Sequence, residues 1–264
     1  MIVGRDADGI VLVRQVDHQA QCAAMAEAWG NAEFHRPEPY GPVIQAAAWH
    51  DEGWRGWELA PAVAGGQPVN FTGMDRRTHV GIYRECIGRA AERDPREGLL
   101  VSMHGRALYE YTPPERRDAP ARAFIDEQTA FQHELRAELG GGPALEAWAS
   151  AGFRLVRTWD ALSLYLTWRG LREGQSRVLP EVPRHVGDEG VDLDLSPDGP
   201  LGCIVTPWPF SNDVVELPVR AVRLEERAYR SNSDLADAIA AAEPLTLAFR
   251  VRPASGHAGR PHPS

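Results

Sequence analysis

The feature that most constrains this chain is a set of ionisable residues on the apolar faces of its amphipathic segments. When positions three, four, seven and eleven apart are read together, His18 shares a face with Cys22, Met25 and Trp29. His50 lies with Val43, Ala46 and Trp54, and His79 with Ile82, Tyr83 and Cys86. His104 lies with Leu100, Val101, Leu108 and Tyr111, and Asp160 with Val156, Ser163, Leu164 and Thr167. Asp51 adjoins His50 within "AAAWHDEGWRGW", at a helix end crowded by Trp49, Trp54 and Trp57. One such histidine is more often a hydrogen-bonded core residue than a ligand. Four imidazoles and two carboxylates are harder to account for singly, because a buried ionisable group is costly unless paired or metal-bound. A divalent metal, or two, satisfies all six. Imidazole with carboxylate suits iron, manganese, cobalt or zinc, whereas calcium prefers all-oxygen ligands.

Around these positions the pattern predicts helices over 16–29, 41–52, 75–92, 96–111, 120–139, 143–150 and 153–170, with Gly140, Gly141 and Gly142 ending one of them. The runs "MIV" and "GIVLV" read as a hairpin. After about Gly174 come Pro, Gly and short apolar runs, namely "VDLDL", "LGCIVTPWPF", "VVELPVRAVRL" and "LTLAFRVRP", with a helix near 232–242. The expected fold is therefore mainly α: a helical metal-binding domain over 16–172 and a small antiparallel β attachment built from 186–252. The hairpin of 1–15 is expected to join that attachment, since two strands alone are marginal in water. Residues 253–264 read as a disordered tail, which makes His257 and His262 poor ligand candidates.

Composition excludes several classes. The chain has 264 residues, a net charge of −9 and a pI near 5.5, with no broad basic footprint for nucleic acid. All 28 basic residues are arginine, so no mechanism can rest on a Schiff-base or phosphate-binding lysine. Cys22, Cys86 and Cys203 are odd in number and widely spaced, and read as reduced core residues. With no leader pattern and no apolar run near the roughly 20 residues of a membrane span, the expectation is a soluble cytoplasmic protein with a small-molecule partner, no nucleic acid and no membrane.

The order His18, His50-Asp51, His79, His104, Asp160 resembles the H…HD…H…H…D series of the HD-domain superfamily of metal-dependent enzymes, and its spacing is similar to that of the small diiron oxygenases within it. The resemblance covers about 16–170. Over its full length the chain also looks like an uncharacterised bacterial family, carried by "HDEGW", "LLVSMHG" and "WDALSLYL". The HD resemblance implies an HD-domain-like helical bundle in which Asp51 bridges two metals. His18, His50 and Asp160 complete one site, and His79 and His104 bind the other. Two enzyme chemistries follow: oxygenation of a small polar substrate by a diiron pair, or phosphoester hydrolysis by metal-activated water. A non-catalytic metal-containing binding module is the third reading. Many relatives place a lysine shortly after HD; here "HDEGW" has none, which weakens phosphate hydrolysis and leaves anion binding to Arg14, Arg55, Arg76, Arg77 or Arg106. Glu52 and Glu58 are candidates for general base or for orienting groups. Gln128, on the face of Phe124, Phe131 and Leu135, is a candidate to hold substrate or a metal-bound water. Trp49, Trp54, Trp57 and Phe71 read as pocket walls or as packing, and "TPWPF" as a rigid turn near the site or at a sheet edge.

Overall fold

A computed structural model describes residues 1–168 and 173–254. The chain opens with a hairpin, β1 (Ile2–Asp6) and β2 (Gly9–Val13), and enters the helices α1 (Gln15–Ala28), α2 (Gly41–Trp49) and α3 (Trp54–Glu58). A minor hairpin, β3 (Val63–Ala64) and β4 (Gln67–Pro68), leads to α4 (Arg76–Arg93), α5 (Pro95–Glu110), α6 (Ala119–Glu138) and α7 (Pro143–Thr167). Aspartates cap three of these: the side chains of Asp75, Asp94 and Asp118 accept from the first-turn amides of α4, α5 and α6. Then follow β5 (Arg177–Val182), β6 (Val191–Pro197), β7 (Gly202–Thr206), β8 (Val215–Leu224), α8 (Asn232–Ala241) and β9 (Pro244–Pro253).

Seven strands form one sheet in the order β1-β2-β8-β9-β7-β6-β5. All neighbours are antiparallel except β7 and β9, which run parallel. This overturns the mainly α expectation. The protein is a mixed α/β fold, 49% helix and 22% strand, whose curled sheet forms a half-barrel. The strands share one core with the helices: Leu193, Leu195, Leu217, Val219 and Val251 pack in the same cluster as Met25, Trp29, Leu155, Trp159 and Leu162. β8 alternates over 215–221, with Val215, Leu217, Val219 and Ala221 buried on the face that meets α1, before Val222 and Leu224 pack on the other side. A smaller cluster of Ile10, Leu12, Leu224 and Leu235 lies beneath α8.

Other boundaries also move. The two helices expected over 143–150 and 153–170 are one, α7. Gly152 does not break it; a Cβ there would stand 3.1 Å from Leu100 and 3.3 Å from Val43, so the glycine lets α7 press onto α5 and α2. β5 lies outside the expected attachment and is held from the helical side: the Arg154 guanidinium donates to the carbonyls of Glu181, Asp188 and Glu189. Pro253, assigned to the tail, ends β9. Residues 255–264 of the expected tail, and the stretch 169–172 at the end of the expected helical domain, lie outside the described residues. Among the described residues no helix is long and apolar enough to cross a membrane.

One glycine fixes the turn that carries His50 and Asp51. A Cβ on Gly53 would overlap the Ile82 carbonyl oxygen and lie 2.9 Å from the Cys86 nitrogen, while the Gly53 N–H points at Cys86 Sγ, 3.2 Å away. Gly81, mid-α4, has nothing near it. Gly53→Ala is therefore expected to destabilise by about 1–3 kcal/mol through overpacking. Gly81→Ala should stabilise by about 0.5–1 kcal/mol through helix propensity. Urea unfolding midpoints measure both; a Gly53→Ala midpoint at or above wild type would contradict this packing of the turn on α4.

Candidate metal centre

Five helical segments deliver the inward-facing donors. α1 supplies His18, the end of α2 supplies His50 and then Asp51, α5 supplies His104, and α7 supplies Asp160. α4 supplies His79. His18 and His50 are fully buried, and Asp51 and His104 nearly so. Asp160 is the hub: its Oδ1 lies 2.9 Å from His18 Nε2 and 3.8 Å from His50 Nε2, and its Oδ2 lies 4.0 Å from His104 Nε2. Asp51 Oδ2 is 3.6 Å from His50 Nε2. Among the described residues two sets of three donors fall within 4.8 Å of one another: His50, His104 and Asp160, and His18, Cys22 and His50. His79 stands outside both sets. Its Nδ1 pairs with the Tyr109 hydroxyl at 2.6 Å, and its ring packs edge-on against Tyr83 and Trp54. Tyr83 links the two regions, because its hydroxyl donates to Asp51 Oδ1 at 3.1 Å.

Hydrogen bonds behind the rings set which nitrogen faces the centre. Gln21 Nε2 donates to the Leu217 carbonyl on β8 at 2.7 Å, which orients the amide oxygen towards Ser163. Ser163 Oγ donates to that oxygen at 2.6 Å and therefore accepts from His18 Nδ1, also 2.6 Å away. His18 thus carries its ring hydrogen on Nδ1. His50 does the same, since its Nδ1 lies 2.8 Å from the Ala47 carbonyl, which can only accept. Such partners fix the orientation of metal-binding imidazoles. Both Nε2 atoms are left turned towards Asp160. Asp51 is fixed in the same manner: its N–H donates to Gln19 Oε1 at 3.0 Å, and Gln19 Nε2 donates to Glu52 Oε2 at 2.8 Å.

This arrangement fits a cation. His50 Nε2 is buried with no hydrogen-bond partner, although two carboxylates face it. A lone pair opposite carboxylate oxygens is repulsive, and a buried acceptor without a donor is costly. Burial lowers the pKa of both His79 and His104 to about 4, so both are neutral and able to donate a lone pair through the physiological range. For His18, burial disfavours the charged ring, but Cys22 and the Asp160 carboxylate outweigh it and hold the pKa well above 6.5. Burial alone would raise Asp160; the His18, His104 and His50 rings around it bring it well below the ordinary carboxylate value. Without a metal, the His18–Asp160 contact therefore holds a proton where a cation would sit.

The centre opens into a cavity of about 500 Å³ that reaches Asp51, His79, Tyr83 and Asp160 and is bordered by Arg76 and Asp118. Of the five candidate arginines only Arg76 lines it; Arg76 pairs with Asp118 and lies over the Tyr109 ring. Arg55 pairs with Glu52, and Arg106 with Glu110. Arg14 borders a separate cavity, and Arg77 is exposed. Glu52 acts through Gln19 rather than on the cavity, and Glu58 accepts from the Gln15 N–H. Gln128 Oε1 accepts from Ser102, which also accepts from Gln132, in a buried cluster away from the cavity lining. Phe71 lines the cavity and Trp54 backs His79, whereas Trp49 lies under Arg93. "TPWPF" packs Phe210 onto Trp29 in the core. Sequence periodicity missed Gln19, Gln21 and Ser163 as orienting groups, and placed Tyr83 on an apolar stripe although its hydroxyl holds Asp51.

Fold and centre together define a mixed α/β protein with a buried histidine–aspartate site beside a substrate-sized cavity. The chain belongs to DUF3891, a family described as proteins of unknown function, whose model matches residues 1–226. No curated protein and no solved structure matches. The matched span runs from the first hairpin through β8, so it covers most of the sheet together with α1 to α7. The sheet overturns the all-α class, and the family's description supports neither an HD domain nor a diiron class.

Because a proton occupies His18 at neutral pH, loading a divalent ion should release at least one proton. Apparent affinity should then rise with pH, by about tenfold per unit for one proton, until the His18 pKa is passed. Calorimetric titration in two buffers of different ionisation enthalpy counts the protons; zero release would refute the shared position. Ser163→Ala, which removes the acceptor behind His18, should weaken binding roughly 10–100-fold with the fold unchanged by circular dichroism.

Proposed function

We propose that the protein is a dinuclear metal-dependent oxygenase acting on a small polar substrate, with iron the first choice of metal and manganese, cobalt or zinc the alternatives. The observation that carries this reading is the unpartnered, buried His50 Nε2 facing two carboxylates, Asp51 and Asp160, that line an open cavity. His18, His50 and Asp160 would hold one ion and His79 and His104 the other, with Asp51 between them. The H…HD…H…H…D order is a further support. Ions bound there supply Lewis acidity and, when redox-active, electrons for dioxygen chemistry.

The chain's own groups favour oxidation over hydrolysis of a phosphate ester. Three aspartates line the cavity, namely Asp51, Asp118 and Asp160, against a single arginine that already pairs with one of them. That lining serves a neutral or weakly charged polar molecule better than a polyanion. Phe71, Met74, Leu108 and Leu164 supply apolar wall that limits water near the centre. Tyr83 holds Asp51, and Tyr109 fixes the ring of neutral His79 so that its second nitrogen is free to ligate. An open cavity beside the donors also favours catalysis over a closed structural site. All three cysteines are free and buried, which agrees with a reducing compartment such as the cytoplasm.

Metal analysis of anaerobically purified protein, with electron paramagnetic resonance after partial reduction and oxygen-electrode assays on polyols and sugar acids, tests the reading. The expected outcome is about two equivalents of metal and a coupled mixed-valent iron signal. Asp51→Ala should lose both ions and His104→Ala about one. Hydrolysis of phosphoesters with manganese and no dioxygen uptake would replace the oxidative reading; less than about half an equivalent of metal would remove the metal reading altogether.

A further inference from the structure

Cys22 has no role in the reading above, which assigns it neither a ligand nor a catalytic function. It lies one turn after His18 on α1, so its side chain and the His18 ring share one face. The residue is fully buried, and its Sγ lies 3.9 Å from His18 Nε2, the same nitrogen that meets Asp160. His50 Nε2, buried and without a partner, completes a set in which all three donor atoms fall within 4.8 Å of one another. A tetrahedral ion with metal–nitrogen and metal–sulfur bonds of about 2.0–2.1 and 2.3 Å needs its nitrogen and sulfur donors roughly 3.6 Å apart. The observed separation differs from that by a few tenths of an ångström.

We propose that Cys22 is a thiolate ligand of the ion held by His18, His50 and Asp160, making that position an N₂SO site rather than an all-imidazole-and-carboxylate one. The inference rests on the metal reading and deepens it. Binding replaces a sulfur–hydrogen bond by a sulfur–metal bond, and the proton leaves to solvent; a divalent ion deprotonates a coordinating thiol outright. One thiolate and one carboxylate then balance the charge of a divalent ion at that position, leaving the Asp51 carboxylate to be shared with the second ion. A soft donor also biases the position towards ferrous iron, cobalt or zinc and against magnesium or calcium.

The test loads metal-free full-length protein with cobalt(II) under anaerobic conditions. An intense near-ultraviolet thiolate-to-cobalt band should appear as the ion binds and saturate at one thiolate per protein. Cys22→Ser should still bind cobalt, more weakly, and lack the band; Cys203→Ser, altered on β7, should keep it. Full cobalt uptake without the band, or a band that persists in Cys22→Ser, overturns the thiolate assignment and leaves the metal reading standing. No cobalt uptake by wild type overturns both. Should Cys22→Ser fail to fold, X-ray absorption on zinc-loaded wild type decides instead: a sulfur scatterer at about 2.3 Å is required, and a shell of nitrogen and oxygen alone refutes it.

Discussion

The molecule is organised around two imidazole nitrogens that converge on one carboxylate. His18 Nε2 and His50 Nε2 both face Asp160 Oδ1, and each is turned there by an acceptor behind its ring. Neither acceptor is a free choice of side-chain rotamer. The His50 partner is the carbonyl of Ala47 in its own helix. The His18 partner is reached through a relay that starts on the sheet: Leu217 carbonyl, Gln21, Ser163, His18. Removing β8 would free Gln21 to rotate, and with it the direction of every hydrogen in that relay. The sheet is thus part of the centre's construction, which explains why it shares a single core with the helices instead of folding against them as an appendage.

α1 has to do two things on opposite sides, and its composition reflects this. One side meets α2 and α7, where His18 and Cys22 lie; another meets β8. Gln15, Gln19 and Gln21 are all buried on this helix. Buried amides are tolerated only when hydrogen-bonded, and here the Gln19 and Gln21 amides bridge one element to the next. Gln19 ties Asp51 to Glu52, and Glu52 in turn is held by Arg55, whose hydrogen bond with that of Gln19 outweighs burial and lowers the Glu52 pKa. A charged, exposed arginine therefore reaches the centre's backbone through two buried side chains.

This also explains which parts of the structure were legible in the sequence. Five inward positions follow from a period near 3.6 and Asp51 from its adjacency to His50, so the residues around Asp160 could be named from the sequence, although His79 stands apart from them. The strands of "VDLDL" and "VVELPVRAVRL" were equally visible, and the first hairpin does pair with β8. What periodicity of two cannot convey is how many strands join, in what order, or what they cover; the parallel β7–β9 pair depends on a crossover with no local signal. The same limit hid the glutamines of "QVDHQAQC". A helix covered on more than one side loses the polar face that marks an amphipathic helix, and its amides read as solvated when they are structural.

The turn between α2 and α3 shows how backbone packing can decide side-chain chemistry. Asp51 and His50 are adjacent, yet their side chains must converge on one point. The chain achieves this by ending α2 at Trp49 and pressing Gly53 into α4 where no side chain fits. That contact places the Cys86 sulfur under the turn and leaves Tyr83, three residues earlier on the same helix, directed at Asp51. The helix that supplies His79 therefore also fixes the orientation of the carboxylate between the two candidate metal positions. Any displacement of α4 would move His79, Tyr83 and the His50-Asp51 turn together, so the two halves of the centre are mechanically one unit even though their donor atoms form separate groups.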